Sequence, residues 1–169
     1  MILPINSTDQ LYQRLRANGL DFFVSVPCKL LDGLLRRLGN DEDILYTPVS
    51  REEDGVGVLA GAYLGGRKPA LVMQNSGFGN SVNAVCSLLN YYRIPIIFVI
   101  SHRGSPGEPV AAQVAMGDAV SGVMAASGVP SVSIGDADQL ARIDGEIAAA
   151  YAERRSLGLL FPFSFWQAT

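Results

Sequence analysis

Histidine, cysteine, tryptophan and charge are all scarce in this chain. One histidine, His102, and two cysteines, Cys28 and Cys86, occur in 169 residues. A lone histidine excludes a multi-histidine metal site or a histidine relay built within the chain. Two cysteines are too few for a disulfide framework, and no segment has the charged, apolar and small-residue order of a signal peptide, so a cytoplasmic location is expected. Charged residues make up only 17%, the net charge is −3, and Lys and Arg are scattered. That leaves no basic stripe to neutralise phosphate backbones, so nucleic acid is not an expected partner. Long hydrophobic runs are also lacking. Stretches such as Ile94 to Ile100 fall far short of the roughly 20 residues that cross a bilayer, so no membrane association is expected. No internal repeat, low-complexity tract or Ser-rich linker divides the chain, and residues 1–169 read as a single domain.

What is present is apolar. Residues of this kind make up 49% of the chain, enough for one good core with some apolar surface left to face another chain. Short β-rich runs alternate with longer segments of helical period, the pattern of an α/β fold. The expected strands are Phe22 to Val26, Ile44 to Val49, Ala70 to Gln74, Ile96 to Ile100, Ser131 to Ile134 and Leu157 to Phe163. Most are almost continuously apolar, as in a parallel sheet covered on both faces. The expected helices are Ser7 to Asn18, Lys29 to Leu38, Arg51 to Leu64, Asn80 to Tyr92, Ala112 to Ala126 and Asp136 to Arg154. The spacings of Leu11 and Leu15, and of Leu30, Leu31, Leu34, Leu35 and Leu38, place core faces on the first two. The fold class is therefore a three-layer α/β arrangement, with a mostly parallel six-stranded sheet and helices on both faces. The apolar, aromatic run from Leu157 to Trp166 reads as an inserted last strand.

Function in such folds sits in the strand-to-helix loops at the carboxyl edge of the sheet. Four loops stand out: Val26-Pro27-Cys28, Ser50-Arg51-Glu52-Glu53, Asn75-Ser76-Gly77-Phe78-Gly79-Asn80 and Ser101-His102-Arg103-Gly104. Ser50 and Glu53 have capping-box spacing, which on its own is the common explanation of such a pair. The glycines of the third loop suit positive φ or close packing. A phosphate cradle is the rival reading, but the Lys-Ser/Thr ending of a P-loop and the third glycine of a dinucleotide fingerprint are missing. His102 beside Arg103 suits anion binding as well as packing. Cys28 has no base partner and reads as structural, and Cys86, inside a helical pattern, as packing.

The run Glu53-Asp54-Gly55-Val56-Gly57-Val58-Leu59-Ala60-Gly61-Ala62-Tyr63 resembles the Glu-x-x-A-x-x-x-A-x-G-Y pattern of thiamine-diphosphate enzymes. Gly57 or Val56 stands where alanine is frequent and Ala62 replaces the glycine, while Glu53 and Tyr63 keep the spacing. Leu71 to Ala84, followed by Ile94-Pro95-Ile96, is similar to the strand, S-G-P-G-x-x-N loop, helix and I-P strand of their pyrimidine-binding domain. Ser101-His102-Arg103-Gly104 and Gln113-Val114-Ala115-Met116-Gly117 resemble stretches of sulfopyruvate decarboxylase alpha subunits. Ser105-Pro106-Gly107-Glu108-Pro109 blends in a feature of phosphonopyruvate decarboxylases.

The resemblance implies a thiamine-diphosphate-binding fold of pyrimidine-domain type. It implies a 2-oxo acid decarboxylase that converts 3-sulfopyruvate to sulfoacetaldehyde and carbon dioxide, in coenzyme M formation or sulfonate breakdown. A phosphonopyruvate decarboxylase alpha subunit and a non-catalytic binding or regulatory domain of the same fold are the alternatives. Glu53 would hydrogen-bond N1′ of the aminopyrimidine as the catalytic carboxyl group. Asn75, Gly77, Phe78 and Asn80 would contact the cofactor, and Lys29, His102, Arg103 and Gln113 the anionic substrate. Glu52 is expected to cap the helix or stay solvated. The family's G-D-G segment is lacking, and no asparagine follows Asn90. No metal ligand is therefore expected here, and Mg2+ with the diphosphate would be held by a beta subunit in an α2β2 or larger assembly.

Overall fold

The computed structural model describes residues 6–167; residues 1–5 and 168–169 of the expected single unit lie outside them. The described residues form six strands, β1 (Phe22–Ser25), β2 (Leu45–Pro48), β3 (Pro69–Gln74), β4 (Ile97–His102), β5 (Ser131–Ser133) and β6 (Leu157–Pro162). They make one sheet in the order β2-β1-β3-β4-β6-β5, with every pairing parallel. The last strand in sequence is thus inserted between β4 and β5, as the apolar run from Leu157 suggested. The helices are α1 (Ser7–Ala17), α2 (Asp32–Asn40), α3 (Glu52–Leu64), α4 (Asn75–Ala84), α5 (Val114–Ala126), α6 (Arg142–Glu153) and a short α7 (Phe163–Gln167).

Successive residues of a strand point to opposite faces of the sheet, and the two resulting cores follow from that alternation. Phe23, Val72, Val99 and Leu159 meet Leu11, Leu15, Leu34, Leu38, Ile143, Ile147 and Phe165 from α1, α2, α6 and α7. Val24, Leu71, Met73, Phe98 and Ile100 meet Val56, Leu59, Phe78, Val120 and Met124 from α3, α4 and α5. The central strands β3, β4 and β6 are buried over all but their last residue. At one margin β2 is largely exposed, so the expectation of cover on both faces fails there. An edge strand has a neighbour on one side only.

Helix ends follow local chemistry where it is available. The Asn6 side chain accepts from the Asp9 N–H at 2.9 Å and starts α1, satisfying one of the orphan donors of the first turn. Three of the expected helices open with a 3₁₀ turn, at Lys29–Leu31, Ala111–Gln113 and Ala137–Ala141.

Two departures from the expected pattern bear on the site. Helix α4 starts at Asn75, five residues before the expected Asn80, so the glycine-rich loop is helix from its first residue. It then passes through a π turn at Val85–Asn90 and ends at residue 92. Within that turn Cys86 is exposed, contrary to the packing role expected of it.

Phe98 is fully buried and meets Phe78 edge to face, with ring centroids 5.4 Å apart. Truncation to alanine removes that contact and opens a cavity in a core of few polar atoms. Phe98→Ala is expected to cost about 3–5 kcal/mol in denaturant unfolding of the protein.

Candidate functional site

Because β3 runs into α4 without a loop, the side chains of the first α4 turns are fixed by what they touch. Asn75 is fully buried. Its Oδ1 accepts from the Arg103 N–H and its Nδ2 donates to the Arg103 carbonyl, both at 3.0 Å. It therefore clamps the end of β4 and offers no exposed amide to a ligand, unlike the cofactor contact expected of it. Phe78, expected in the same role, has its ring fully buried in the core. Gly77 is needed for close approach. A β-carbon there would lie 2.5 Å from Cγ of Glu52.

Glu52, expected to cap or to be solvated, is instead 7% exposed. Its Oε2 accepts from Nδ2 of Asn80 at 3.2 Å. Asn80 is itself exposed, on the surface beside the start of α3.

Glu53 follows by about 100° round α3 and faces outward. Its side chain is 36% exposed and its Oε1 accepts from Nη2 of Arg51 at 2.8 Å. Arg51 is the N-cap of α3, in extended conformation and with no side-chain capping bond. The capping box is not formed, and the carboxylate of Glu53 is held only by an exposed ion pair of the kind worth about 0–1 kcal/mol. Down the same face of α3 lie Gly57, Gly61 and Leu64. Nothing lies within 4 Å of a β-carbon placed at either glycine, and Leu64 is 74% exposed. Glu53 thus heads an open, nearly side-chain-free stripe.

At the end of β4 the chain locks onto the start of α5. Gly104 has φ +81°, and a β-carbon on it would lie 2.3 Å from the Gln113 carbonyl oxygen; one on Gly117 would lie 2.6 Å from the Arg103 carbonyl oxygen. The two motif stretches therefore interlock backbone to backbone. Nε2 of His102 donates to the Gly117 carbonyl at 2.9 Å, which puts the proton of a neutral ring on Nε2.

Arg103 is not a free cation. Its Nε and Nη2 donate to the two Glu108 oxygens at 2.6 and 2.8 Å. The side chains are 13% and 1% exposed. Glu108 also accepts from the N–H groups of Gly104 and Val110, at 3.3 and 3.1 Å. The guanidinium bonds hold the Glu108 carboxyl down at about 2, and in return raise Arg103 above its ordinary value. The expectation that Arg103 recognises the substrate anion is corrected accordingly: its charge is already matched in a bidentate pair.

Lys29 is exposed on the turn after β1. It borders a cavity of about 390 Å³ lined by Pro27, Cys28, Asp32 and Leu35 as well. Sγ of Cys28 accepts from Oγ of Ser101 at 3.6 Å and lies 3.9 Å from Nη1 of Arg103. Gln113 is half-buried. The structure thus gathers Glu52, Gly77 and Asn80 next to Glu53, and separately gathers Asn75, Cys28 and Glu108 around Arg103. Sequence reasoning missed Glu52 and Glu108. The one signal for Glu108 was an acid within a Pro/Gly turn five residues after an arginine. Among the described residues no three His, Cys, Asp or Glu side chains are grouped to hold a metal ion, and no helix is long and apolar enough to cross a membrane.

The family model described as thiamine pyrophosphate enzyme, N-terminal TPP binding domain matches residues 5–123. A sulfopyruvate decarboxylase subunit alpha from Methanococcus maripaludis is 52% identical over 67% of this chain and 68% of its own length. A protein of the same name from Methanothermobacter thermautotrophicus is 37% identical over 97% of this chain and 100% of its own. A phosphonopyruvate decarboxylase from Streptomyces viridochromogenes is 40% identical over 53% of this chain and 23% of its own.

The Arg103–Glu108 pair makes stability depend on pH. Its carboxyl is lowered from 4.5 to about 2 in the fold, so the contribution is complete above the unfolded value and is lost as pH falls toward 2. Glu108→Gln is expected to cost about 3 kcal/mol at neutral pH, because it leaves a nearly buried guanidinium without its anion. Urea unfolding at a series of pH values should show that the variant loses less stability than the parent between about pH 5 and pH 2.

Proposed function

As the chain belongs to the family of thiamine pyrophosphate enzyme N-terminal TPP binding domains, we propose that it is the alpha subunit of a decarboxylase. Its reaction would convert 3-sulfopyruvate to sulfoacetaldehyde and carbon dioxide. The observation that carries this reading is Glu53, a carboxylate held only by an exposed arginine at the head of a stripe with no cover from its own chain. A carboxyl group placed so suits the ring nitrogen of an aminopyrimidine arriving from outside, and the exposed Asn80, bonded to Glu52 next to it, is near enough for a further cofactor contact. The residues present fit that half of the cofactor. The described residues do not include an oxygen cage for the diphosphate and Mg2+, which are assigned to a beta subunit. The relatives named subunit alpha support that division, and one of them is matched over its full length. The assembly would be α2β2 or larger, in the cytoplasm, with residues 1–169 acting as one pyrimidine-binding domain.

The chemistry that thiamine diphosphate supplies when bound is an electron sink for the carbon–carbon bond broken as carbon dioxide leaves. Glu53 holds and returns a proton at N1′ of the pyrimidine, a task that requires an ionisable group at hydrogen-bond distance. Arg51 holds the Glu53 side chain by one exposed ion pair until that contact forms. Gly77 admits the close approach of α4 to α3 that sets the position of both acids. Asn75 and the Arg103–Glu108 pair act at one remove, by fixing the backbone that carries His102. For the acidic groups of the substrate Lys29 keeps an exposed ammonium, while His102 and Gln113 lie in the two segments that pack on each other at the same edge.

A second reading, phosphonopyruvate as substrate, is favoured by the Streptomyces match and by the Ser105 to Pro109 segment. Both acids carry a second anion on C3.

Glu53→Gln is expected to lower turnover of the reconstituted complex by about 100-fold or more while changing stability by no more than about 1 kcal/mol. Stopped assays of carbon dioxide release, paired with thermal melts, check both. Retained turnover would leave Glu53 a surface acid. In a mixture of the two acids the complex should consume 3-sulfopyruvate first; preference for phosphonopyruvate would reassign the substrate. Absence of thiamine diphosphate binding by calorimetry, with Mg2+ and partner present, would favour a non-catalytic domain.

A further inference from the structure

The amino edge of the sheet, opposite the loops that carry Glu53 and His102, holds a cavity of about 360 Å³ that the proposed function does not use. Its lining comes from three helix-to-strand turns and includes Asn90, Arg93, Gly128, Glu153, Arg154 and Arg155. Each of the three helices ends there through a residue with left-handed backbone: Arg93 at φ +54°, Gly128 at +70° and Arg154 at +53°. Glycine is the ordinary residue at such a position, because a β-carbon strains it. Arg93 and Arg154 are the two non-glycine residues of positive φ among the described residues. Strain of this kind persists where something else favours the side chain.

Helix capping is one such benefit, because a cation near a helix C-terminus is stabilised. It accounts for Arg93, whose Nη2 donates to the Glu153 carbonyl at 3.2 Å. It does not account for the other two arginines. The Arg154 side chain is exposed and has no hydrogen bond or ion pair among the described residues. Arg155 pairs through Nε with Glu153, yet its Nη1 is enclosed with no acceptor. That pair is a surface one, with side chains 32% and 58% exposed, so exchanging it for another anion costs little. Three guanidinium groups against one carboxylate leave two positive charges, offset only in part by the helix ends. We propose that this cavity binds a small oxyanion of the phosphate class, held by Arg93, Arg154 and Arg155, with the Arg155 guanidinium passing from Glu153 to the ligand. Planar donor forks suit the oxygens of such an anion. The site stands apart from the one for the anionic substrate, which lies at the other edge of the sheet.

The test is calorimetric titration of the full chain, alone and in the reconstituted complex, with inorganic phosphate at constant ionic strength over chloride, alongside thermal melts. Saturable binding to the parent is expected. Arg154→Gly removes the unpaired guanidinium and supplies the residue that the left-handed backbone prefers. Phosphate affinity should fall about tenfold, the equivalent of a charge-assisted hydrogen bond, while the melting temperature holds or rises. Glu153→Gln removes the anion that competes for Arg155, and phosphate should then bind about threefold more tightly. Affinity unchanged in both variants, as a capping role alone requires, overturns the inference, and so does the absence of saturable binding to the parent. Affinity that falls in Lys29→Ala but not in Arg154→Gly places the phosphate at the carboxyl edge and overturns it as well. Should Arg154→Gly fail to fold, Arg93→Gly carries the test, with about tenfold weaker binding expected and parental affinity as the refutation. Repeating the titration with glycerol phosphate separates two sources of the same chemistry. Tighter binding than that of inorganic phosphate makes the occupant a phosphorylated metabolite, weaker binding makes it the free ion, and either supports the site.

Discussion

Where β3 passes directly into α4, two contacts set the rest of the carboxyl edge: the paired 3.0 Å hydrogen bonds between the Asn75 amide and the Arg103 backbone, and the seat of Gly77 against Glu52. Asn75 ties α4 to the end of β4. Gly77 lets α4 come close enough to α3 for Asn80 to reach Glu52. A helix whose first turn is anchored on both sides has little freedom to shift. Side chains on the adjoining turns inherit that rigidity, as positioned groups in a binding site require.

The electrostatics of the edge divide along the same line. Arg103 and Glu108 are almost wholly enclosed, share two direct bonds and add two backbone donors, so they form a closed, neutral unit. Such a unit fixes geometry and has no charge to offer a ligand. Arg51 and Glu53 are the opposite case, joined by one bond and largely open to water. Solvent screening makes that pair cheap to break. The first pair is framework and the second is available for chemistry.

Much of the fold was readable because its strands are either central and continuously apolar or marginal and short. Leu71, Val72, Phe98 and Val99 alternate between two cores, and only a sheet covered on both faces tolerates that pattern. Glu53 was singled out only by the resemblance of the run ending at Tyr63, since its spacing from Ser50 suggested a capping box that the fold does not form. The start of α4 was not readable, since Gly77 and Gly79 each disfavour helix by about 1 kcal/mol and only the contact with Glu52, distant in sequence, shows why the glycine belongs. The same non-locality hid Glu52. Arg103 was misjudged for a related reason: its residue type announces a cation, and only the folded turn reveals that Glu108 has neutralised it. Cys86 was misplaced by the π turn, which shifts the helical phase that local pattern assumes.

Gly57 and Gly61 have open space where a side chain would stand. In the lone chain, alanine at either position would meet no obstacle and would gain helix propensity by roughly 1 kcal/mol. A mutational scan scored on the folding of isolated material would therefore rank both sites as improvable. Any selective pressure to keep them bare must come from outside this polypeptide, so tolerance maps made on the separated chain are blind along that helix face.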